Sequence, residues 1–214
     1  MRQGRKIMIV GNGDIAEQHG AAIDAADFVV RFNDCRSYGP GGTKTDAVAV
    51  CNTGRPGFAM SRGADWKTNP AVVEAAEIWC TRDSARFAAM RGELAVRHPE
   101  LDDFCDDYSG DFAAFAAATG KRLYSVPAET HVGLDAALAT IGAAPYVVPS
   151  SGLLVIADVL AHVAQPDDSV TIAGFGHQGW EWHPFAAEKR LVDGWAKEHR
   201  LMRLSRYFES CPEI

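Results

Sequence analysis

The sequence predicts an α/β fold with a single domain, in which one doubly wound, mainly parallel sheet is flanked by helices. Three observations carry this prediction. Segments of strand length alternate with segments of helical periodicity, the strand segments are apolar throughout, and no internal repeat interrupts them. Strands that are continuously apolar are typical of sheets with both faces covered by helices. We expect one domain over residues 1–214, because this length suits one large domain.

Each element follows from the local pattern of apolar residues. Six strands are predicted, at residues 6–11, 27–32, 46–51, 77–80, 122–126 and 169–176. Apolar residues at helical spacing predict five helices, at 16–23, 83–97, 130–141, 152–163 and 185–199. The acidic stretch 99–111 is interpreted as a solvated loop, with a mobile active-site flap as the alternative. Ligand-binding residues are expected directly after the strands, where the crevice of an open parallel sheet lies.

Composition narrows the range of functions. The net charge of −7 argues against nucleic acid and anionic membrane surfaces as partners. No apolar run is long enough to span a membrane, and Gly11 and Asn12 end the first one too early for a signal peptide. We therefore expect a cytoplasmic protein with reduced thiols, since no cysteine spacing indicates a disulfide framework or zinc site. The cysteines are Cys35, Cys51, Cys80, Cys105 and Cys211.

The turn after the first strand allows two kinds of ligand. Residues 11–16 match the G-x-G-x-x-A fingerprint, and Asp34 ends the next strand, where a ribose-binding acid would lie. This pattern would suit an NAD(P)-dependent oxidoreductase, although glycines at such turns also serve purely structural purposes. Asn12 and Asn33 depart from the fingerprint. Two amides at neighbouring strand ends suit the hydroxyls and phosphate oxygens of one compact nucleotide.

Three motifs resemble those of the eukaryotic-type sialyltransferases, a glycosyltransferase family 29-like pattern. Residues 9–50 resemble the long sialyl motif, residues 149–176 resemble the short motif P-S-T-G…G-F-G with Ser151 in place of Thr, and residues 183–188 fit H-x4-E. Matches in the long motif are Gly11, Asn12, Asp24, Asp27, Phe28, Val29, Arg31, Asn33, Gly42, Lys44 and Thr45. The family's histidine motif is shortened here to the six residues 177–182, and its cysteine pair has no counterpart.

The resemblance implies a GT-A-like variant of the fold and a metal-independent glycosyltransferase. It would transfer sialic acid or a related keto-sugar acid, with inversion, from a CMP-sugar donor to a glycan or other small hydroxyl acceptor. His183 is the expected base, because the pKa of histidine lies near working pH. The shortened histidine motif motivates an alternative, a non-catalytic accessory protein that binds a nucleotide without turning it over. The NAD(P)-dependent oxidoreductase is the third hypothesis.

The other candidate site residues lie after strands or at the start of a helix. Those expected to bind the nucleotide are Gly11, Asn12, Gly13, Asn33, Ser150, Ser151, Gly152 and His177. Contacts that support the site or the sugar are expected from Arg31, Trp180, Trp182 and Glu188. Structural alternatives stay open: an N-cap for Ser150, a salt bridge to Asp27 or Asp34 for Arg31, and a first-turn helical role for Glu188. No metal is expected, since the acidic doublets all fall in loop-like segments.

Overall fold

A seven-stranded parallel sheet forms the centre of the protein in the computed structural model, which describes residues 4–204. Its order is β5-β4-β3-β2-β1-β6-β7. The strands are β1 (Lys6–Val10), β2 (Phe28–Phe32), β3 (Ala47–Val50), β4 (Glu77–Cys80), β5 (Arg122–Ser125), β6 (Ser169–Ala173) and β7 (Met202–Arg203). The predicted α/β class with a parallel sheet is therefore confirmed. The narrower GT-A-like variant depends on the family resemblance and not on the sheet.

Helices cover both faces of the sheet. They are α1 (Gly20–Asp24), α2 (Gly54–Arg62), α3 (Ala64–Thr68), α4 (Pro70–Glu74), α5 (Ser84–Arg97), α6 (Ser109–Ala118), α7 (Ala128–Thr140), α8 (Ser151–Asp158) and α9 (Phe185–Lys197). Short 3-10 turns occur at Glu17–His19 and Pro99–Leu101, and a π-helical turn at Val159–Val163 continues α8. No helix within residues 4–204 is long and apolar enough to cross a bilayer.

The central strands are buried because each contributes to two cores. On one face, Ile7 and Ile9 of β1 pack with the apolar residues of α7, α8 and α9. On the other face, Met8 and Val10 pack with Ile23, Ala26 and Val29 near the start of β2. A third core lies between β3, β4, α4 and α6. Burial of alternate residues on both faces explains why these strands are apolar without interruption.

The order of the strands changes direction at β1. The chain proceeds outward from β1 to β5 and then returns, so that β6 pairs with the free side of β1. Val10, the last residue of β1, is in register with Arg31 on one side and Ala173 on the other. The connections after β1 and β6 therefore lead to helices on opposite faces of the sheet, α1 and α9, and ligands of open α/β sheets bind at the carboxyl edge beside such a switch.

Six predicted strands are present, and most of the elements that were not predicted are short or contain helix breakers; the ten-residue helix α6 is the exception. The strand β7 has two residues, and α3 and α4 have five each. The helix α2 contains two glycines and a proline within residues 54–57. The predicted helix 16–23 is a 3-10 turn followed by α1. The predicted helix 152–163 is α-helical only to Asp158.

The acidic stretch 99–111 is more than a solvated loop. Cys105 within it is buried, and Phe104 packs on the ring of Phe87 with centroids 5.5 Å apart. An antiparallel bridge joins Asp107 to Thr53, and α6 begins at Ser109. The apolar residues between the acids thus fix this segment against α2 and α5. The cysteines at 35, 51, 80 and 105 are free thiols, and Cys211 lies outside the described residues.

Arg31 has a structural role that the sequence analysis did not predict. Its side chain is fully buried, and its guanidinium donates to the carbonyls of Gly41 and Gly42 at 2.9 Å and to Thr45 Oγ1 at 3.1 Å. Ser37 Oγ accepts a further hydrogen bond at 3.2 Å. Burial lowers the Arg31 pKa. The expected salt bridge to Asp27 or Asp34 is not formed, and the residue holds the loop between β2 and β3.

We expect Arg31→Gln to lower the free energy of unfolding by roughly 2–4 kcal/mol, because several buried acceptors lose their donor. Urea unfolding monitored by circular dichroism measures this change. Arg97→Gln is the matched control: Arg97 is exposed and paired with Glu93 on α5, so its loss should change stability by less than about 0.5 kcal/mol. Equal stabilities of the two variants would contradict the structural role of Arg31.

Candidate functional site

A cavity of about 600 Å³ lies at the carboxyl edge of the sheet, beside the switch in strand order. Five strands contribute to its wall through residues 11–13, Asn33, Cys51, Arg82 and residues 174–177. The start of α8 and the loop before α9 close the remaining sides. The volume is typical of a small-molecule site, and the position is the one that ligands occupy in open α/β sheets.

Most of the residues predicted for the site lie in the wall of this cavity. The exceptions are Arg31, which is buried under the β2–β3 loop, and Trp182, which packs on the ring of His98 with centroids 4.4 Å apart. Placement in one wall does not give each residue a ligand contact. Several of them already form hydrogen bonds within the protein, so their bonded groups are not available to a ligand.

Gly11 and Gly13, which follow β1, leave space for the backbone that follows β6. The Gly11 N–H donates to the Ala173 carbonyl at 2.8 Å, and the Gly13 N–H donates to the Gly174 carbonyl at 2.9 Å. A side chain at Gly11 or Gly13 would overlap the Gly174 carbonyl oxygen. Gly174 itself has a positive φ of 70°. Close packing of two backbones thus explains this turn without a dinucleotide.

The Asn12 amide joins the ends of β1 and β2. Its Nδ2 donates to the Phe32 carbonyl at 3.1 Å and to Asp34 Oδ1 at 3.2 Å, while its Oδ1 accepts from the Arg36 N–H at 3.1 Å. Asp34 also forms an ion pair with Arg36. Both ends of the Asn12 amide are therefore occupied, and Asp34 has partners other than a ribose.

Asn33 leaves one donor available. Its φ of 51° lies in the left-handed region, its Oδ1 accepts from the Cys51 N–H at 2.9 Å, and its carbonyl accepts from Trp66 Nε1 at 2.8 Å. Within residues 4–204 its Nδ2 has no hydrogen-bond partner. Asparagine tolerates this backbone conformation better than most residues. The structure therefore fixes the side chain by its oxygen and leaves its NH₂ group for a ligand in the cavity.

Ser150 and Glu188 fix the start of α8. Ser150 Oγ accepts from the Leu153 N–H at 3.2 Å and donates to Glu188 Oε2 at 2.6 Å. The Ser150 N–H donates to Glu188 Oε1 at 2.7 Å. Burial raises the Glu188 pKa, and the bonds from Ser150 oppose that rise. Ser150 is thus the N-cap of α8, and Glu188 joins the first turn of α9 to α8.

Ser151 and Gly152 lie at the first turn of α8. Ser151 Oγ lies 3.1 Å from Thr81 Oγ1, at the end of β4. A side chain at Gly152 would come within 2.8 Å of the Phe175 ring. The glycine therefore lets Phe175 pack against the helix and keeps the backbone accessible from the cavity.

His183 is neutral and fixed in one orientation. Its Nδ1 lies 2.8 Å from the Val148 carbonyl, so Nδ1 carries the proton and Nε2 has a lone pair. Burial, with a contribution from the positive charge of Arg82, lowers the His183 pKa to about 4. The Trp180 ring meets the imidazole edge-on at 4.9 Å. The residue thus offers a hydrogen-bond acceptor at neutral pH.

His177 is held by the edge of the sheet. Its Nε2 lies 3.0 Å from Nη2 of Arg203 on β7, and Arg203 also pairs with Asp193 at 2.9 Å. Because an arginine can only donate, His177 Nε2 is the acceptor. Burial and the Arg203 charge lower the His177 pKa to about 4. His177 Nε2 is therefore already hydrogen-bonded and is not available to a ligand.

Arg82 is the cavity residue that the sequence analysis missed. It follows β4 by two residues, only 4% of it is exposed, and it lies in the cavity wall. Its Nη1 donates to the Pro149 carbonyl at 3.2 Å, and the guanidinium lies 5.2 Å from the centroid of the Phe87 ring. Its position directly after a predicted strand was a usable signal.

Arg82 also borders a second, largely apolar cavity of about 390 Å³. Cys51, Trp180 and His183 line both cavities, and Phe104 from the acidic stretch lines the second. Trp180 stacks on Phe104 with ring centroids 5.3 Å apart. The main cavity thus continues into an aromatic recess beside its buried cation.

The residues of the proposed long motif chiefly stabilise a loop. Asp24 Oδ1 accepts from the N–H groups of Thr43 and Lys44, each at 2.8 Å. Lys44 Nζ donates to the carbonyls of Ala26 and Asp27. With the bonds of Arg31, these contacts explain why this spacing of Asp, Arg, Gly, Lys and Thr occurs without reference to a sugar donor.

Comparison with known proteins identifies the family. No family model matches the chain. The chain is 57% identical over 210 residues to the urease operon 23 kDa accessory protein of Rhizobium meliloti (strain 1021), an alignment that spans 98% of this chain and 97% of the relative. The protein belongs to the family of that accessory protein.

This membership corrects the functional prediction. The identification as a sialyltransferase is wrong, and so are the glycosyltransferase activity, the CMP-sugar donor and the glycan acceptor, because a relative of nearly the same length is an accessory protein. His183 therefore loses the reaction for which it was the expected base. The family name favours the alternative hypothesis of an accessory protein.

Groups of three or more His, Cys, Asp or Glu side chains that could hold a metal ion do not occur among residues 4–204. The expectation that the protein needs no metal stays a prediction.

His183 makes the stability of the protein sensitive to acid. Its folded pKa of about 4 lies below the ordinary value of 6.5, so the unfolded chain binds more protons between these values and stability falls as the pH decreases through this window. His183→Asn keeps a donor for the Val148 carbonyl and does not titrate. We expect its loss of stability from pH 7 to pH 4.5 to be smaller than that of wild type by roughly 1–2 kcal/mol.

Urea unfolding at the two pH values measures this difference. His199→Asn is the control, because His199 is exposed and has a positive φ that asparagine tolerates. If His183→Asn and wild type lose the same stability on acidification, the neutral state of His183 is contradicted.

Proposed function

We propose that this protein is a cytoplasmic, non-catalytic accessory protein of a urease system that binds a nucleotide in the main cavity. The observation that carries the nucleotide is the cavity at the switch in strand order, where the free amide of Asn33, the start of α8 and aromatic rings face one space. A nucleotide matches these groups, because it has an aromatic base, hydroxyl groups and an anionic phosphate.

The cavity wall contains both hydrogen-bonding groups and aromatic rings. Asn33 provides an NH₂ donor near the ends of β2 and β3, and His183 Nε2 provides an acceptor near α9. Phe175 lies against Gly152 at the start of α8, and Trp180 lies beside His183. A ligand with one flat ring and several hydroxyls can use the donor, the acceptor and the rings together.

The partner in this proposal is a component of a urease system. The relative is named for a urease operon, and the alignment spans almost the whole of both chains. The cytoplasmic location is supported by the free thiols at positions 35, 51, 80 and 105. The carboxylate in the cavity wall belongs to Glu188, and both of its oxygens accept hydrogen bonds from Ser150. Because Glu188 is used to hold α8 and α9 together, this arrangement supports a binding role without catalysis.

Nucleotide binding is expected to raise the melting temperature. The four nucleoside 5′-monophosphates should be tested one at a time against NADH by thermal denaturation. A ligand at about 100 times its Kd stabilises the folded state by about 2.7 kcal/mol, which is roughly 5–10 °C for a chain of this size. Stabilisation by none of the monophosphates would contradict the proposal, and preference for NADH would indicate a dinucleotide site.

The Asn33 amide provides the matched variant. Asn33→Asp keeps the acceptor for the Cys51 N–H and replaces the free NH₂ group by a carboxylate oxygen, so we expect the nucleotide shift to decrease strongly. Asn69→Asp is the control, because Asn69 is the N-cap of α4 and does not line the cavity. A full nucleotide shift in Asn33→Asp would show that the ligand does not use this donor.

The urease role has its own test. In Rhizobium meliloti lacking the related accessory protein, expression of this chain should restore the urease activity that is lost, measured per amount of urease protein. Asn33→Asp should restore less than Asn69→Asp if nucleotide binding is part of the role. Unchanged urease activity after removal of the relative would contradict the proposed urease function.

A further inference from the structure

Arg82 is a buried cation without a carboxylate partner. Only 4% of the residue is exposed, and within residues 4–204 it forms no ion pair. Its Nε is buried and makes no hydrogen bond. An unpaired charge removed from water is costly, and proteins usually satisfy it with a partner. The cavity wall is where such a partner would bind.

The backbone places Arg82 beside the start of α8. Arg82 Nη1 donates to the carbonyl of Pro149, which is followed by the N-cap Ser150. The Arg82 backbone is fixed on the other side, because Asn52 Oδ1 accepts from its N–H at 2.8 Å and Asn52 Nδ2 donates to its carbonyl at 3.1 Å. The guanidinium is therefore held next to the helix terminus by contacts that leave Nε unused.

The start of α8 provides further donors on the same side. Ser150 Oγ satisfies the Leu153 N–H, and the Leu154 N–H donates to the Ser150 carbonyl. In the described part of the chain, the N–H groups of Ser151 and Gly152 have no acceptor. Both residues line the cavity. The first N–H groups of a helix attract anions through their partial positive charge.

We infer that Arg82 and the first turn of α8 form an oxyanion site that holds the phosphate group of the ligand. This inference rests on the proposed function and adds the anchoring point and the charge of the ligand. The planar guanidinium and two neighbouring N–H groups match the several acceptor oxygens of a phosphate. Ser151 Oγ, which is shared with Thr81, adds a hydroxyl at the same place.

Glu188 does not take the place of this anion. Its carboxylate lies in the same wall, but its two oxygens accept from the Ser150 N–H and the Ser150 hydroxyl. The Arg82 charge acts on Glu188 and opposes the rise of its pKa, but the two side chains form no ion pair in residues 4–204. His183 contributes no second positive charge, because it is neutral at physiological pH. Arg82 is thus left as the buried charge that an anionic ligand would neutralise.

The test uses the full chain and inorganic phosphate as the probe. Phosphate binding is measured by isothermal titration calorimetry and by melting temperature, with chloride at the same ionic strength as the reference. We expect Arg82→Gln to weaken phosphate binding roughly 10- to 100-fold through the loss of charge-assisted hydrogen bonds. Arg97→Gln, which removes one exposed charge of α5, should bind phosphate as wild type does.

A second pair of variants keeps the test informative if Arg82→Gln does not fold. Ser151→Asp places a negative charge at the first residue of α8, where acidic residues favour the helix, so the fold should be retained while phosphate is repelled. Ser151→Asn is its neutral counterpart and should weaken phosphate binding less than Ser151→Asp does. Wild-type phosphate affinity in a folded Arg82→Gln, or in Ser151→Asp, would overturn the inference.

Parallel titrations with the nucleoside 5′-monophosphates and the matching nucleosides separate this inference from the proposed function. Phosphate binding that depends on Arg82, with no gain from an attached nucleoside, would support the anion site and contradict the nucleotide. A monophosphate whose affinity is the same in wild type and Arg82→Gln would support the nucleotide and contradict the anion site. The absence of any phosphate binding by wild type would also overturn it.

Discussion

The contact between the backbones that follow β1 and β6 determines where the cavity lies. Hydrogen bonds from the Gly11 and Gly13 N–H groups to the carbonyls of Ala173 and Gly174 hold the two loops together at the switch in strand order. Side chains at either glycine would force the loops apart. Because β1 is central in the sheet, this contact fixes the floor from which the ends of β2, β3 and β4 extend the wall. The glycine turn thus shapes the site without having to contact a ligand.

A second set of polar residues keeps the surrounding loops in place. Arg31 holds the loop between β2 and β3, and Glu188 with Ser150 joins α9 to α8. These residues are among those that carried the resemblance to sialyltransferases. A motif whose residues stabilise a loop can occur in any protein that has the same loop, whatever the function of that protein. The spacing of such residues is therefore evidence about local structure. It is evidence about function only when their side chains keep hydrogen-bonding groups that no part of the protein uses.

The sequence predicted the parallel sheet well because each long strand is apolar on both faces, as Ile7, Met8, Ile9 and Val10 show. It also predicted the edge at which the cavity lies, because the carboxyl ends of parallel strands meet at one edge of the sheet. It could not predict which groups are free: Asn12 and Asn33 look alike in the sequence, yet one has both ends occupied and the other has an unused NH₂ group. Arg82 was missed because its burial depends on Asn52 and Pro149, which are distant in the sequence, and not only on the nearby ring of Phe87. The predicted sugar transfer was wrong because residues that stabilise loops were interpreted as residues that bind or activate a sugar donor.

The charges around the cavity show why an acidic protein can hold an anion. The net charge of −7 opposes polyanions at the surface, but a buried cavity responds to its nearest groups. Near the start of α8, Arg82 carries a positive charge, while His177 and His183 are kept neutral by burial and by nearby arginines. Since both histidine pKa values lie near 4, these two side chains stay neutral between pH 6 and pH 8. In that range the phosphate group of a nucleotide changes its own charge, because the second pKa of a phosphate monoester is about 6. Burial is thus the main cause of both low histidine pKa values, and different arginines add to it: Arg203 for His177 and Arg82 for His183.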